Sequence, residues 1–478
     1  MIVTFLVPPV VLGKLPAERS SGCTHVVYPT PNIYELTLAA YVREKGHSIS
    51  YLDCVNRKIK IEGLLSQISQ NPADVYIIWT VNLSIANDLD VIKRIHRVSP
   101  MIKVILVGPG ASFFYKDCLI DEQTIVVHGE PELTVVELID CWEKGIEWKQ
   151  ISGISYLQDG SFHRTTMRPL INDLDILPFP ARDLLQGVNY RNPKLKTSPY
   201  TTMVTSRNCP HHCIYCVPSS LTFARELEYK TFNNKKPPIG MRSVDNVAAE
   251  LRLLKQQGYK AVTFVDDEFI WNEKRTEAIC SILKETGIVW SCQARVDTIT
   301  DKIAQLLGES NCLCVDLGVE SFDDHILEYI HKGITTKQIY SAVSLLQKYH
   351  VPIKLNVLIG TCPLETKQTI LHTLREAKRL KTDQLMVNIV SPFPGTEFYK
   401  LAIENHWILN DQYIPTDVQR HSILNYPHLS AKQMERLLRC ANWSYYLNPA
   451  FIWKQILRFH SMKDFIHACK SLKIKLIG

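Results

Sequence analysis

The chain has 478 residues, 46% hydrophobic and 21% charged, enough for about three domains at ~150 residues each. This composition excludes a disordered chain, a collagen-like repeat and a small disulfide-stapled scaffold. The net charge is +6, of which residues 451–478 supply six cations (Lys454, Arg458, Lys463, Lys470, Lys473, Lys475) less Asp464, or +5; the nearly neutral body excludes a broad nucleic-acid surface.

The apolar opening is interrupted by Pro8 and Pro9 and preceded by no basic residue, so it reads as a first strand and not a secretion signal. No run approaches the ~20 apolar residues of a membrane-spanning helix. Residues 1–145 then alternate strands, expected at Ile2–Val7, His47–Leu52, Val75–Trp79, Lys103–Val107 and Ile125–Val127, with helices at Ile33–Glu44, Ile61–Ser69, Ile85–Arg97 and Pro131–Lys144. Such alternation predicts a doubly wound, Rossmann-like α/β domain. Ligands of these sheets lie beyond the carboxyl ends of the strands, here near Pro8, Thr80–Asn82, Gly108–Ser112 and Gly129–Glu130.

Residues 146–200 read as a linker with a small hairpin turning at Asp159–Gly160. A second series fills residues 201–398, with strands expected at Thr202–Ser206, Ala261–Val265, Val289–Gln293, Cys314–Val319, Ile353–Ile359 and Gln384–Ile389. Six strands with intervening helices predict a partial (β/α)6 barrel, a complete eight-stranded one remaining open. Residues 399–478 form a helical tail, with a helix over Ser430–Tyr446 capped by Ser430. Beyond Phe451, apolar residues recur at near-helical spacing among the basic ones. That stripe either packs on the barrel or lies on an anionic membrane surface.

The strongest chemical signal is Cys209-Pro-His-His-Cys213-Ile-Tyr-Cys216, directly after the first strand of the second series. A chain with fourteen cysteines and no secretion signal keeps them reduced in the cytoplasm, so closely spaced ones are metal or redox candidates. Three thiolates in one loop suit an iron–sulfur cubane with one iron left open. A zinc site completed by His211 or His212 is the alternative. Cys280, Cys292, Cys312, Cys314 and Cys362 lie in or near strands and read as small core residues.

The C-x3-C-x2-C spacing, with Tyr215 before the last cysteine, resembles the radical S-adenosylmethionine (SAM) superfamily. So do Asp266-Asp267-Glu268-Phe269, Arg295-Val296-Asp297, Gly318-Val319-Glu320-Ser321, Lys332-Gly333, the segment Gly360–Thr366 and Pro392–Glu397. Together with Leu106–Ala111 and His128–Glu132 in the first domain, they resemble the branch that carries an N-terminal cobalamin-binding domain. The anaerobic magnesium-protoporphyrin ester cyclase and radical C-methyltransferases belong to that branch.

The resemblance implies a [4Fe–4S] cluster on Cys209, Cys213 and Cys216, and SAM cleaved by one electron to a 5′-deoxyadenosyl radical. It implies SAM contacts from Tyr215, Asp266, Glu268, Arg295, Glu320 and Ser321, and cobalamin contacts from Gly108, Gly110, Gly129 and Glu130. Each has a plainer reading beside it. At least one of the three acids at 266–268 caps a loop, Arg295 pairs with Asp297 or Asp266, and the glycines serve tight turns. The Asp-x-His-x-x-Gly motif that ligates cobalt is missing, since Asp53 is followed by Cys54-Val55-Asn56.

The implied reaction is methylation of an unactivated carbon of a small-molecule or lipid-like substrate, with cobalamin delivering the methyl group and a flavodoxin or ferredoxin supplying electrons. Cyclisation, rearrangement or oxidation is the second enzymatic reading, and a non-catalytic iron–sulfur or zinc protein the third.

Overall fold

The computed structural model describes residues 1–449 except Lys14, Val27, Asn189 and Pro193. The basic stripe expected beyond Phe451 lies outside the described residues. In the first unit the strands are β1 (Ile2–Val7), β2 (Ser48–Asp53), β3 (Val75–Trp79), β4 (Lys103–Val107), β5 (Thr124–Val127), β6 (Ile154–Gln158) and β7 (Ser161–Arg164). Its helices are α1 (Ile33–Glu44), α2 (Ile61–Gln70), α3 (Ile85–Val98), α4 (Pro109–Phe113), α5 (Tyr115–Cys118) and α6 (Pro131–Lys144). All five residues of β3 are buried, as expected of a parallel strand covered on both faces.

The strand order is β2-β1-β3-β4-β5-β6-β7. The hairpin expected inside a linker is instead part of this sheet. Val126 and Val127 of β5 pair antiparallel with Ser155 and Ile154 of β6, because an open edge strand leaves backbone groups to be satisfied. The first structural unit therefore reaches past residue 145 to Arg164.

The second unit contains β8 (Tyr200–Met203), β9 (Ser206–Arg207), β10 (Gly240–Met241), β11 (Ala261–Phe264), β12 (Val289–Ala294), β13 (Cys312–Glu320), β14 (Ile353–Ile359) and β15 (Gln384–Ile389). Between and after them run α7 (Ser220–Asn233), α8 (Val244–Gln256), α9 (Glu273–Thr286), α10 (Asp301–Glu309), α11 (Asp324–Tyr329), α12 (Thr336–Lys348), α13 (Lys367–Arg379), α14 (Glu397–Glu404) and α15 (Ala431–Tyr446). Six strands pair in parallel in the order β15-β14-β13-β12-β11-β8, and β15 and β8 do not meet. The barrel is therefore partial. Along β14, Ile353, Leu355, Val357 and Ile359 are buried and Lys354, Asn356 and Leu358 are half-buried, the period of two that separates a helix-covered face from a concave one. The capping box expected at Ser430 and Gln433 is present at the start of α15.

The two units share a core. Tyr200, Leu221 and Ala261 of the second pack with Val3, Phe5 and Trp79 of the first, and the Trp79 indole N–H donates to Ser220 Oγ at 3.0 Å. Strand ends of both units meet here, for Tyr34 at the start of α1 donates to Val265 O just past β11 at 3.3 Å. No helix among the described residues is long and apolar enough to cross a membrane.

Glu250 on α8 is fully buried between Arg182 of the connecting segment (2.7 Å) and Arg242 after β10 (2.5 Å). Removing one partner of a buried ion pair costs ~3–5 kcal/mol because the rest remains desolvated and uncompensated. Glu250→Gln is expected to lower the thermal midpoint accordingly; a calorimetric scan unchanged from the parent would contradict it.

Candidate active site

β8 stops early, at Met203, and the chain kinks through Val204–Thr205 into β9, which pairs with β10. The kink is held by Asp266, just past β11. Its carboxylate accepts from the Thr205 N–H at 3.0 and 3.1 Å, from Thr205 Oγ1 at 2.7 Å and from Ser206 Oγ at 2.6 Å. The strand expected over Thr202–Ser206 is broken for this reason. Next, Arg207 donates to Glu130 (2.8 Å) and Glu132 (2.6 Å) of the first unit. Asn208 follows at φ +84°, a left-handed conformation that Asn tolerates, and turns the chain into the cysteine loop.

The far side of that loop is pinned by backbone. The Ile214 N–H donates to Ile330 O at 3.2 Å, and Ile214 O accepts from the Phe398 N–H at 2.9 Å. Cys209 and Cys213 are half-buried and Cys216 is exposed. The three sulfurs do not gather within 4.8 Å of one another, whereas thiolates sharing one zinc at ~2.3 Å bond lengths sit roughly 3.8 Å apart. That spacing fits a multi-iron cluster better than a single zinc ion.

Cations bracket the loop. Lys332 and Arg295 lie within electrostatic reach of Cys213, and Lys236 within reach of Cys216 and Cys209. Lys332 Nζ donates to Glu320 Oε1 at 2.8 Å and lies 3.5 Å from the Tyr215 hydroxyl. Glu320 ends β13 at φ +69°, and the pair crosses the strand over Gly318, where a Cβ would lie 2.9 Å from both Glu320 Oε1 and Lys332 Nζ. Arg295 is shared between Asp297 (2.9 Å) and Lys332 O (2.8 Å). Glu268 accepts from the Ile270 N–H at 3.0 Å, and burial pushes its carboxyl up to about 8.

Tyr215, Glu268, Arg295 and Glu320 therefore converge beside the cysteines. Asp266 and Ser321 are not brought together with them: Asp266 is engaged by the kink, and the Ser321 hydroxyl faces Thr373 of α13 at 3.3 Å. Asp267 likewise accepts from the Ser219 N–H at 2.6 Å before α7. Lys332, which in the sequence stands out only as part of the Lys332-Gly333 pair, joins them through Glu320 and Tyr215.

In the first unit the residues singled out for a corrinoid mostly serve the chain. A Cβ at Gly108 would lie 2.7 Å from Thr80 O, and one at Gly110 would lie 2.8 Å from the Val81 carbonyl carbon, so both are demanded by packing of the β3 and β4 turns. Gly129, at φ +67°, abuts Glu228 of α7. Glu130 has both oxygens engaged, one by Arg207 and Arg225 and the other by the Ile171 N–H. Asp53 takes Asn56 and the Tyr190 hydroxyl, and His128 is buried against Ser155 Oγ at 2.8 Å. The groups suited to a corrinoid's amides lie elsewhere around these strand ends. Asn82 Oδ1, Ser112 Oγ and both amide atoms of Asn32 are buried without a hydrogen-bond partner, which costs ~1–3 kcal/mol each unless a ligand or water satisfies them.

The sequence profile of the radical SAM superfamily matches residues 203–414, and that of the B12 binding domain matches residues 21–139. An uncharacterized methyltransferase of Pyrococcus horikoshii is 32% identical over 94% of this chain and 95% of its own. The chain belongs to the radical SAM superfamily, in the branch with a B12-binding domain. The anaerobic magnesium-protoporphyrin IX monomethyl ester cyclase of Rubrivivax gelatinosus is 22% identical over 95% of this chain and 80% of its own. The fold matches that of TsrM from Kitasatospora setae, a radical SAM methyltransferase solved with cobalamin and a [4Fe-4S] cluster (TM-score 0.65, 16% identity, 84% of this chain and 75% of that one). It also matches the cobalamin-dependent radical enzyme OxsB (TM-score 0.67, 15% identity, 99% of this chain and 71% of that one).

Asp266→Ala strands three buried donors beside the cysteine loop. We expect a stability loss on the order of 3 kcal/mol in the metal-free protein, read as a lower thermal midpoint without SAM. A midpoint unchanged in the metal-free protein, with only SAM affinity reduced, would return Asp266 to the ligand set.

Proposed function

We propose that this radical SAM enzyme methylates an unactivated carbon of a small-molecule or lipid-like substrate. One observation carries the reading: the three-cysteine loop and the strand ends of the B12-binding domain are joined through Arg207, Glu130 and Glu132, so both cofactor-binding units open onto one interface. The nearly full-length relative that bears a methyltransferase name supports the same class.

Cys209, Cys213 and Cys216 would hold the cluster. Lys332 and Arg295 would take the SAM carboxylate, and Glu268 and Glu320 its ammonium, which restores the counter-charge that burial withholds from Glu268. Asn32, Asn82 and Ser112 would meet cobalamin, with no histidine offered from the position after Asp53. When bound, the cluster supplies the electron that splits SAM into methionine and a 5′-deoxyadenosyl radical, and cobalamin supplies the methyl group. The chain's part is to hold SAM between opposite charges and to keep water from a radical that would react with it. An electron carrier of the flavodoxin or ferredoxin type completes the reading.

The test is anaerobic reconstitution followed by iron, sulfide and corrinoid determination and a deoxyadenosine assay with dithionite. About four irons and four sulfides per chain, retained corrinoid and deoxyadenosine are expected, and Cys213→Ala should abolish both cluster absorption and SAM cleavage. Iron and deoxyadenosine without corrinoid would keep the radical enzyme and favour cyclisation or rearrangement. Zinc without SAM cleavage would overturn both.

Lys332→Met is expected to raise the SAM dissociation constant at least tenfold, about 1.4 kcal/mol, at unchanged iron content. Unchanged affinity by equilibrium dialysis would remove Lys332 from the carboxylate site.

A further inference from the structure

The segment between α7 and β10 carries Lys236 into the cysteine loop. Its Nζ donates to His211 O, between Cys209 and Cys213, at 2.6 Å. The segment is fastened under the loop by the Asn208 amide, which donates to Pro237 O at 2.9 Å. Behind the ammonium stands Glu226 of α7, 3.3 Å away and buried, which also pairs with Lys230 at 3.0 Å. Burial works against the charge of Lys236, and Glu226 followed by the Cys216 and Cys209 thiols outweighs it. This cation acts on Cys209 and Cys216, and Lys332, which faces Cys213, reaches Cys216 as well.

We propose that Lys236 is a positioning residue that sets the reduction potential of the cluster, with Glu226 as its counterweight. The inference rests on the assignment of the cluster to Cys209, Cys213 and Cys216. A thiolate-ligated cluster gains negative charge on accepting an electron, so a neighbouring cation favours the reduced form and a neighbouring anion opposes it; net charge and hydrogen bonding are what set such potentials. Lys236 also fixes the carbonyl at the turn between two ligands, so its charge is held at a constant place relative to the sulfurs.

The experiment is an EPR-monitored redox titration of the reconstituted full chain without SAM, on Lys236→Met, Lys236→Arg, Glu226→Gln and Lys230→Met. Loss of the cation in Lys236→Met should shift the reduction equilibrium about tenfold toward the oxidised cluster, a midpoint ~59 mV more negative for one electron. Lys236→Arg should stay near the parent. Glu226→Gln should move the midpoint the opposite way, and Lys230→Met should leave it in place, since that lysine pairs with Glu226 and is not among the cations that act on Cys209 or Cys216. Opposite signs for Lys236→Met and Glu226→Gln cannot arise from a loosened loop. Midpoints equal to the parent in both would overturn the proposal. If Lys236→Met fails to load iron, Glu226→Gln alone decides, by the sign of its shift. Absence of any cluster signal in the parent would instead overturn the ligand assignment itself.

Discussion

Arg207 is the residue on which the two halves of the molecule depend. It sits two positions before the first cysteine, is nearly inaccessible to water, and donates one nitrogen to Glu130 and another to Glu132 at the start of α6. A guanidinium taken out of water must be matched by carboxylates in fixed geometry, or the desolvation cost is several kcal/mol. Here the match crosses from one sheet to the other. The rigid fork of Arg, suited to bidentate recognition, thereby registers the cysteine loop against the strand ends of the first domain.

The same logic of matched charge runs around the loop. Cysteines and carboxyl groups cluster at this interface (Cys209, Cys213, Cys216, Glu268, Glu320), and three cations, Lys236, Arg295 and Lys332, are set among them by bonds to backbone carbonyls or acids. Lower in the concave face, Asp316 is shared by Lys194 and Lys354 at 2.8 Å each. Burial would raise its carboxyl, and the two lysines together hold it well below its ordinary range. Lys194 belongs to the segment that connects the two sheets, so this triad fastens the connection to the middle of β13.

Much of the fold was legible because its elements follow hydrophobic period alone. β1, β3, β4, β14 and β15 begin and end where the apolar runs do, and α1 and α6 end where Lys45 and Gly145 leave the helix. The hairpin at 154–164 misled because its own residues specify only two strands and a turn. Which sheet edge those strands join is decided by the unpaired backbone of β5. The early end of β8 was equally invisible, since Thr202–Ser206 is a good strand until Asp266 captures the Thr205 N–H and hydroxyl.

Sequence by itself determined where the candidate ligands gather. Three cysteines at C-x3-C-x2-C spacing, placed after a strand that opens a βα series, stand out as a set without reference to anything distant. It could not sort the acids and glycines around that set. Asp266, Glu268, Glu320 and Glu130 are equivalent as letters, and only tertiary structure decided that Asp266 and Glu130 are consumed by neighbouring N–H groups and arginines while Glu268 and Glu320 face the cysteines. The physical reason is that a buried carboxylate is defined by its partners, and those partners (Thr205, Arg207, Arg225, Lys332) come from other elements of the chain.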